Sequence, residues 1–168
     1  MERIGIIYGS TTGNTESAAQ TMQKLLGADQ VDIINVENAS SADLDKYTNL
    51  IFGTSTWGVG DLQDDFESFL SDLESAALDG KVIALFGFGD SSAYADTFVD
   101  GMGIIYEAID GKGATIVGEV SAESYDFEAS RAEDDGEFVG LALDEENEGH
   151  LSEERIEQWI NLIQPKFN

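Results

Sequence analysis

The sequence predicts an α/β fold in three layers: one parallel sheet with helices on both faces. Two observations carry this. Short apolar runs alternate with amphipathic stretches along nearly all of the 168 residues. The runs are apolar almost throughout rather than at every second position, as in strands covered on both sides.

The elements follow in order. Ile4 to Tyr8 is short, β-rich and bounded by Gly9-Ser10, so it reads as a buried strand. From Gly13 to about Leu26 the pattern turns helical, with Ala18, Met22 and Leu25 at i, i+4 and i+7. Val31 to Val36 is the second strand and Leu50 to Phe52 the third, ending at Gly53. Phe66, Phe69, Leu70 and Leu73 mark a helix face. Val82 to Phe86 is the fourth strand, closed by Gly87. Phe98, Met102, Ile105 and Ile109 mark another helix, stopped by Gly111 and Gly113. Ala114 to Val117 reads as a fifth strand. Ile156, Trp159, Ile160 and Ile163 mark the last helix, with Ser152 as its expected N-cap and Pro165 beyond its end. One stretch breaks the rhythm. Residues 119–137 are polar, acidic and rich in Ser and Gly, and the apolar run Phe138-Val139-Gly140-Leu141 follows. An insertion that splits the fifth strand explains this better than a linker, so one domain over 1–168 is expected.

Composition narrows the function. Thirty-four Asp and Glu stand against eight Lys and Arg, a formal net charge of −26. That argues against nucleic acid, whose phosphates need clustered basic side chains, and against an anionic membrane surface. No stretch of about 20 apolar residues and no signal peptide is visible, so a cytoplasmic protein is expected. Cysteine is absent, which excludes disulfides, thiolate metal sites, iron–sulfur clusters and thiol nucleophiles. A redox role must use a bound cofactor. The single histidine, His150, reads as a surface residue in an acidic loop, and no metal site is expected. Met22 and Met102 read as core.

In an open parallel sheet, ligands bind at the carboxyl ends of the strands. Three such ends carry unusual loops. Ser10-Thr11-Thr12-Gly13-Asn14-Thr15 opens a helix, whose free N–H groups and dipole favour an anion. Capping needs one hydroxyl, and this loop has one at nearly every position. It lacks the Gly-Lys-Ser/Thr of a Walker A loop and the GxGxxG fingerprint. Without Lys or Arg, hydroxyls and amides would hold the anion, which suits a single terminal phosphate. The second loop, Thr54-Ser55-Thr56-Trp57-Gly58-Val59-Gly60-Asp61, places a Trp where there is little core to enter. The third, Gly87-Phe88-Gly89-Asp90-Ser91-Ser92-Ala93-Tyr94, offers another aromatic. Singly, each ring reads as a shielding or core aromatic. Together the loops describe a phosphate end and two aromatic walls around something flat, which fits flavin mononucleotide (FMN).

On these residues the chain resembles the flavodoxin family, in its long-chain form. The carriers of the resemblance are Tyr8 to Thr15, Thr56 to Phe66, Gly87 to Asp90 with Tyr94-Ala95-Asp96, Met102-Gly103, Tyr125 to Ser130 and Phe138 to Glu145. The resemblance covers the whole chain. It implies five parallel strands in order 2-1-3-4-5, one non-covalently held FMN, and low-potential electron transfer between partner proteins, with no catalytic residues. It implies that Ser10 to Thr15 bind the phosphate and that Trp57 and Tyr94 sandwich the flavin ring. Gly58-Val59-Gly60 would face the N5 edge, and Gly89-Asp90 the pyrimidine edge. Ala93 departs from the family's usual Gly before the stacking Tyr and would restrict that turn. Implied partners are redox proteins with basic docking faces, such as a ferredoxin/flavodoxin-NADP reductase and low-potential oxidoreductases, met by a monomer. Asp61, Asp64, Asp65 and Glu67 could form the docking face, or simply a solvated helix start suited to the dipole. An FMN-dependent NAD(P)H:quinone reductase of the same fold is the alternative; it would need a nicotinamide and quinone site beside the flavin.

Overall fold

A computed structural model of the chain describes all 168 residues. β1 (Ile4–Gly9) is the central strand, parallel to β2 (Val31–Asn35) on one side and β3 (Asn49–Trp57) on the other. β5 (Val82–Phe88) continues the sheet beyond β3, in register from Asn49↔Val82 to Ser55↔Phe88. The outer edge of β5 carries two short strands, both parallel to it. β6 (Thr115–Val117) pairs with Val82–Ala84, and β10 (Leu141–Leu143) with Phe86–Phe88. Counting principal strands, the order is 2-1-3-4-5, with the fifth in two pieces.

Alternation along the strands sends side chains into two cores. Ile4, Ile6 and Tyr8 join the layer under α1 (Asn14–Leu26) and α5 (Glu145–Ile163), while Ile7 joins the other. Ala18, Met22, Ile156, Trp159, Ile160 and Ile163 supply the first layer. Phe66, Phe69 and Leu73 of α3 (Asp64–Ser75) and Met102, Ile105 and Ile109 of α4 (Asp100–Ile109) supply the second.

Four local expectations change. Leu25 is exposed and Leu26 takes the buried place at the end of α1. The third strand runs on through Thr54, Ser55 and Thr56 to Trp57, because β5 supplies a pairing partner as far as Ser55 and the two-residue β4 (Asp61–Leu62) folds back onto Thr56 and Trp57. A short helix, α2 (Ser41–Lys46), lies in a stretch without clear periodicity, held by a Ser40/Asp43 capping box. The last helix begins at Glu145 with Asp144 as N-cap, and it breaks at Glu148 (φ −133°, ψ 32°) before running on. Ser152 is therefore a buried interior residue of α5 rather than its cap, and His150 sits on that helix, exposed. Met22 and Met102 are buried.

Between β6 and β10 the chain forms a small antiparallel sheet of β7 (Val120–Ser121), β8 (Glu133–Asp134) and β9 (Glu137–Phe138). Phe138 belongs to this appendage, and the fifth strand resumes only at Leu141. Phe138, Tyr125 and Phe127 pack on Phe98 with ring centroids 5.7–6.1 Å away, which seats the appendage on the α4 side. No helix is long and apolar enough to cross a membrane.

Candidate functional site

The carboxyl ends of β1, β3 and β5 meet at one edge of the sheet. A cleft of about 290 Å³ opens there, lined by Thr12, Asn14, Ser55, Thr56, Trp57, Gly58, Phe88, Gly89, Asp90 and Tyr94, with Glu145 and Glu146 from α5. Ten of the expected site residues thus share one wall, drawn from all three loops. No Lys or Arg lines it.

At one end lies the start of α1. Gly13 is its N-cap in the left-handed region (φ +97°), so the N–H groups of the first turn remain free of side-chain caps. The hydroxyls around it divide their work. Ser10 Oγ accepts the Gly13 N–H at 3.0 Å, and Thr11 Oγ1 accepts from Gln63 Nε2 at 3.3 Å. Thr15 Oγ1 is buried and has no partner. A buried hydroxyl without a partner is costly in a folded chain. At a helix N-terminus, where backbone amides already converge, this one fits a phosphate.

At the other end stand two aromatics. Trp57 is 40% exposed and Tyr94 45%, large apolar surfaces that the fold leaves uncovered. Trp57 Nε1 donates to Ser55 Oγ at 2.8 Å, which fixes the indole without burying it. The chain reverses at Gly58-Val59-Gly60, with Gly58 at φ +51° and Gly60 at φ +87°. Both values lie where only glycine is comfortable. Val59 at the tip is 79% exposed.

The third loop is held by the start of α5. Buried Asp144 accepts from Asn147 N at 3.1 Å and from Ser91 N at 3.2 Å, and it also takes the Ser91 hydroxyl. Asp90 accepts from Ala93 N (2.9 Å), Ser92 N (3.1 Å) and Asn147 Nδ2 (2.8 Å). These bonds, the Ala93 amide foremost and then the Asn147 amide, hold the Asp90 carboxyl below its ordinary pKa. Because Asp90 builds this turn, no residue from 91 to 94 needs a positive φ, and Ala93 sits there without strain. Gly89 is needed for a different reason: a Cβ would lie 2.8 Å from Val99 N.

Thr54, Gly60 and Gly87 lie behind the wall. Thr54 is fully buried beside α4, its methyl near Gly101, and Gly87 in the next strand packs on Met102. Gly60 backs onto the Asp100 carboxylate. Glu145 and Glu146 join the wall without any site signal in the sequence, because the acidic run after Leu143 gives no sign that α5 starts beneath the cleft. Gln63 was also missed. It is buried, caps α3 through Oε1 to Phe66 N at 3.0 Å, and ties the second loop to the first.

A family model described as flavodoxin matches residues 6–159. A flavodoxin of Trichodesmium erythraeum is 45% identical over 99% of both chains, and flavodoxin 1 of Escherichia coli is 43% identical over 98% of this chain and 94% of its own. Among solved structures, a Fusobacterium nucleatum flavodoxin bound to flavin mononucleotide superimposes over the full length of both chains with a TM-score of 0.95 at 33% identity. An oxidised flavodoxin 2 from Bacillus cereus gives 0.75 at 30% identity, over 98% of this chain and 99% of its own.

Proposed function

The chain belongs to the flavodoxin family, and on that premise we propose that its cleft holds one FMN, non-covalently, through the residues assembled above. The protein is an electron carrier that works between redox partner proteins, not an enzyme with a substrate of its own. Bound FMN supplies the one-electron chemistry; the chain supplies binding, orientation and electrostatics. The quinone-reductase alternative is not favoured, since relatives matching over nearly the whole chain are flavodoxins.

Ser10 to Thr15 take the phosphate through first-turn amides and the Thr15 hydroxyl. Trp57 and Tyr94 cover the two faces of the ring and exclude water from them. The Gly58-Val59-Gly60 turn faces the N5 edge with backbone groups, and Gly89-Asp90 face the pyrimidine edge. Thr54, Ser55, Thr56, Gly87 and Phe88 shape the floor between them. Asp90, Glu145 and Glu146 surround the cleft with negative charge, which opposes gain of a further negative charge inside it. The exposed apolar rim of Trp57, Val59 and Tyr94, flanked by Asp61, Asp64, Asp65 and Glu67, suits a partner with a basic docking face, such as a ferredoxin/flavodoxin-NADP reductase or a low-potential oxidoreductase. We read the chain as a monomeric cytoplasmic protein with one domain over 1–168.

The observation that carries this reading is the buried, partnerless Thr15 hydroxyl at one end of a cleft whose other end holds two uncovered aromatics. The test is titration of flavin-free protein into FMN, followed by flavin fluorescence. Quenching to a 1:1 end point is expected; persistent fluorescence at excess protein would overturn it.

A further inference from the structure

Asp100 is the first residue of α4, and only 6% of it is exposed. No lysine or arginine side chain is bonded to it. Its Oδ1 accepts the backbone N–H of Arg131, in the insertion, at 2.8 Å. Its Oδ2 faces the other way, against Gly60: a Cβ on Gly60 would lie 2.7 Å from that oxygen and 3.3 Å from Thr97. One carboxylate therefore touches the insertion with one oxygen and the Gly58–Gly60 turn with the other. The surroundings hold it firmly in place. Val99, just before it, is a fully buried β-branched residue at φ +49°, a conformation that persists only where neighbours over-determine it. Gly101 N donates to Thr56 Oγ1 at 3.0 Å, pinning the start of α4 to the end of β3. Phe98 N donates to Ala129 O, and Glu128 and Ala129 donate to Ala95 O, so the insertion is stitched to the same segment.

We infer that Asp100 is a positioning residue that carries the placement of the insertion at Arg131 to the Gly58–Gly60 turn. The inference rests on the reading of that turn as the one facing the flavin N5 edge. An acidic residue in the first turn of a helix also has a simpler use, favouring the helix dipole. That use does not explain a carboxylate buried between the insertion and the Gly58–Gly60 turn. Burial raises its pKa; the backbone N–H and then the positive charge of Arg131 oppose this, and Asp96 and Glu107 add to the rise. With one oxygen bonded to the Arg131 N–H and the other packed on Gly60, the group serves by its shape and its acceptor.

The discriminating pair is Asp100→Asn, which keeps the shape and the acceptor but loses the charge, and Asp100→Ala, which loses all three. In flavin-free protein, amide hydrogen exchange over residues 57–62 should quicken about tenfold in Asp100→Ala and stay near wild type in Asp100→Asn. In FMN-loaded protein, the potential of the first one-electron reduction should fall in Asp100→Ala relative to Asp100→Asn by about 59 mV, the equivalent of a tenfold change in equilibrium constant. The second potential should move alike in both, because both lose the same charge. Equal exchange rates in the two variants, or equal first potentials, would overturn the inference. A chain that takes up no FMN would defeat the functional reading, and the exchange comparison would still decide the mechanical link. If Asp100→Ala does not fold, Asp100→Ser is read in its place against the same outcomes.

Discussion

At the scale of single residues, Thr15 sets stability against binding. Its buried hydroxyl lacks a partner, a condition worth about 1–3 kcal/mol of destabilisation. Thr15→Val keeps the shape and removes the polar atom. The flavin-free variant should therefore be more stable in urea by about 1 kcal/mol, while FMN affinity falls about tenfold and riboflavin affinity holds. Equal losses for FMN and riboflavin would detach the hydroxyl from the phosphate. Trp57→Ala should weaken both flavins, by about 2 kcal/mol in a fluorescence titration, since the ring is a large uncovered surface with its nitrogen already satisfied. The hydroxyl loop was legible as a run of residue types. Which hydroxyls remain free was not, because Ser10 and Thr11 are engaged by Gly13 and by distant Gln63. The third loop shows the same limit in reverse. Ala93 looked restrictive in sequence, yet the Asp90 side chain builds a turn that needs no glycine.

At the scale of elements, the N-terminus of α5 does more than start a helix. Asp144 caps it through Asn147 and anchors Ser91 of the loop that carries Tyr94. Asp144→Ala should cost about 2–4 kcal/mol in chemical denaturation, as the loss of a cap and of two further part-buried bonds. Ring-current shifts or fluorescence of Tyr94 should broaden as its loop loosens; a variant as stable as wild type would show that the network is dispensable. This helix start escaped the sequence reading for a physical reason. Its apolar period is clear only from Ile156, and the break at Glu148 separates an acidic first turn that looks like any solvated run. The strands were plainer, since β1, β2 and β5 are apolar and bounded by turns. β3 was read short because its last residues are hydroxylic and owe their extended form to pairing with β5 and β4. At the sheet's other end, Arg3, Asp32 and Tyr47 tie β1 and β2 to α2's exit: Arg3 Nη2 lies 2.6 Å from Asp32 Oδ1, and Tyr47 Oη donates to Oδ2 at 2.5 Å. The Arg3 guanidinium first, and then the Tyr47 hydroxyl, pull the Asp32 pKa down to about 2. A lowered carboxylate pKa stabilises the fold above the unfolded value of about 4, and that contribution disappears as pH falls through about 2. The difference in unfolding free energy between wild type and Asp32→Asn should hold near 1 kcal/mol above pH 5, because the pair is part-exposed, and shrink towards zero near pH 2. A difference independent of pH would refute the linkage.

At the scale of the whole molecule, a net charge of −26 meets only four ion pairs. Two of the remaining lysines, Lys81 and Lys112, donate to backbone carbonyls instead. Self-repulsion is therefore largely unrelieved from within, and salt must relieve it. The thermal midpoint should rise by several degrees, roughly 5–10 °C, between 10 mM and 1 M sodium chloride. Over the same range, electron transfer to a basic partner should slow as steering is screened. A flat thermal profile would mean that the carboxylates are too far apart in solution to matter.

The divided fifth strand has a consequence for how such a chain can change length. Val117 stands opposite Ala84 and Leu141 opposite Phe86, so the two pieces are in step, separated by the single position of Leu85. Gly140 already packs against the Leu85 main chain. Excising residues 118–139 would leave Val117, Gly140 and Leu141 as consecutive residues of one unbroken edge strand, with every register kept. The appendage is thus a cassette, removable in one step without re-threading the sheet. What its removal would expose is Phe98, whose ring it now covers, so a shortened chain would need a more polar residue there.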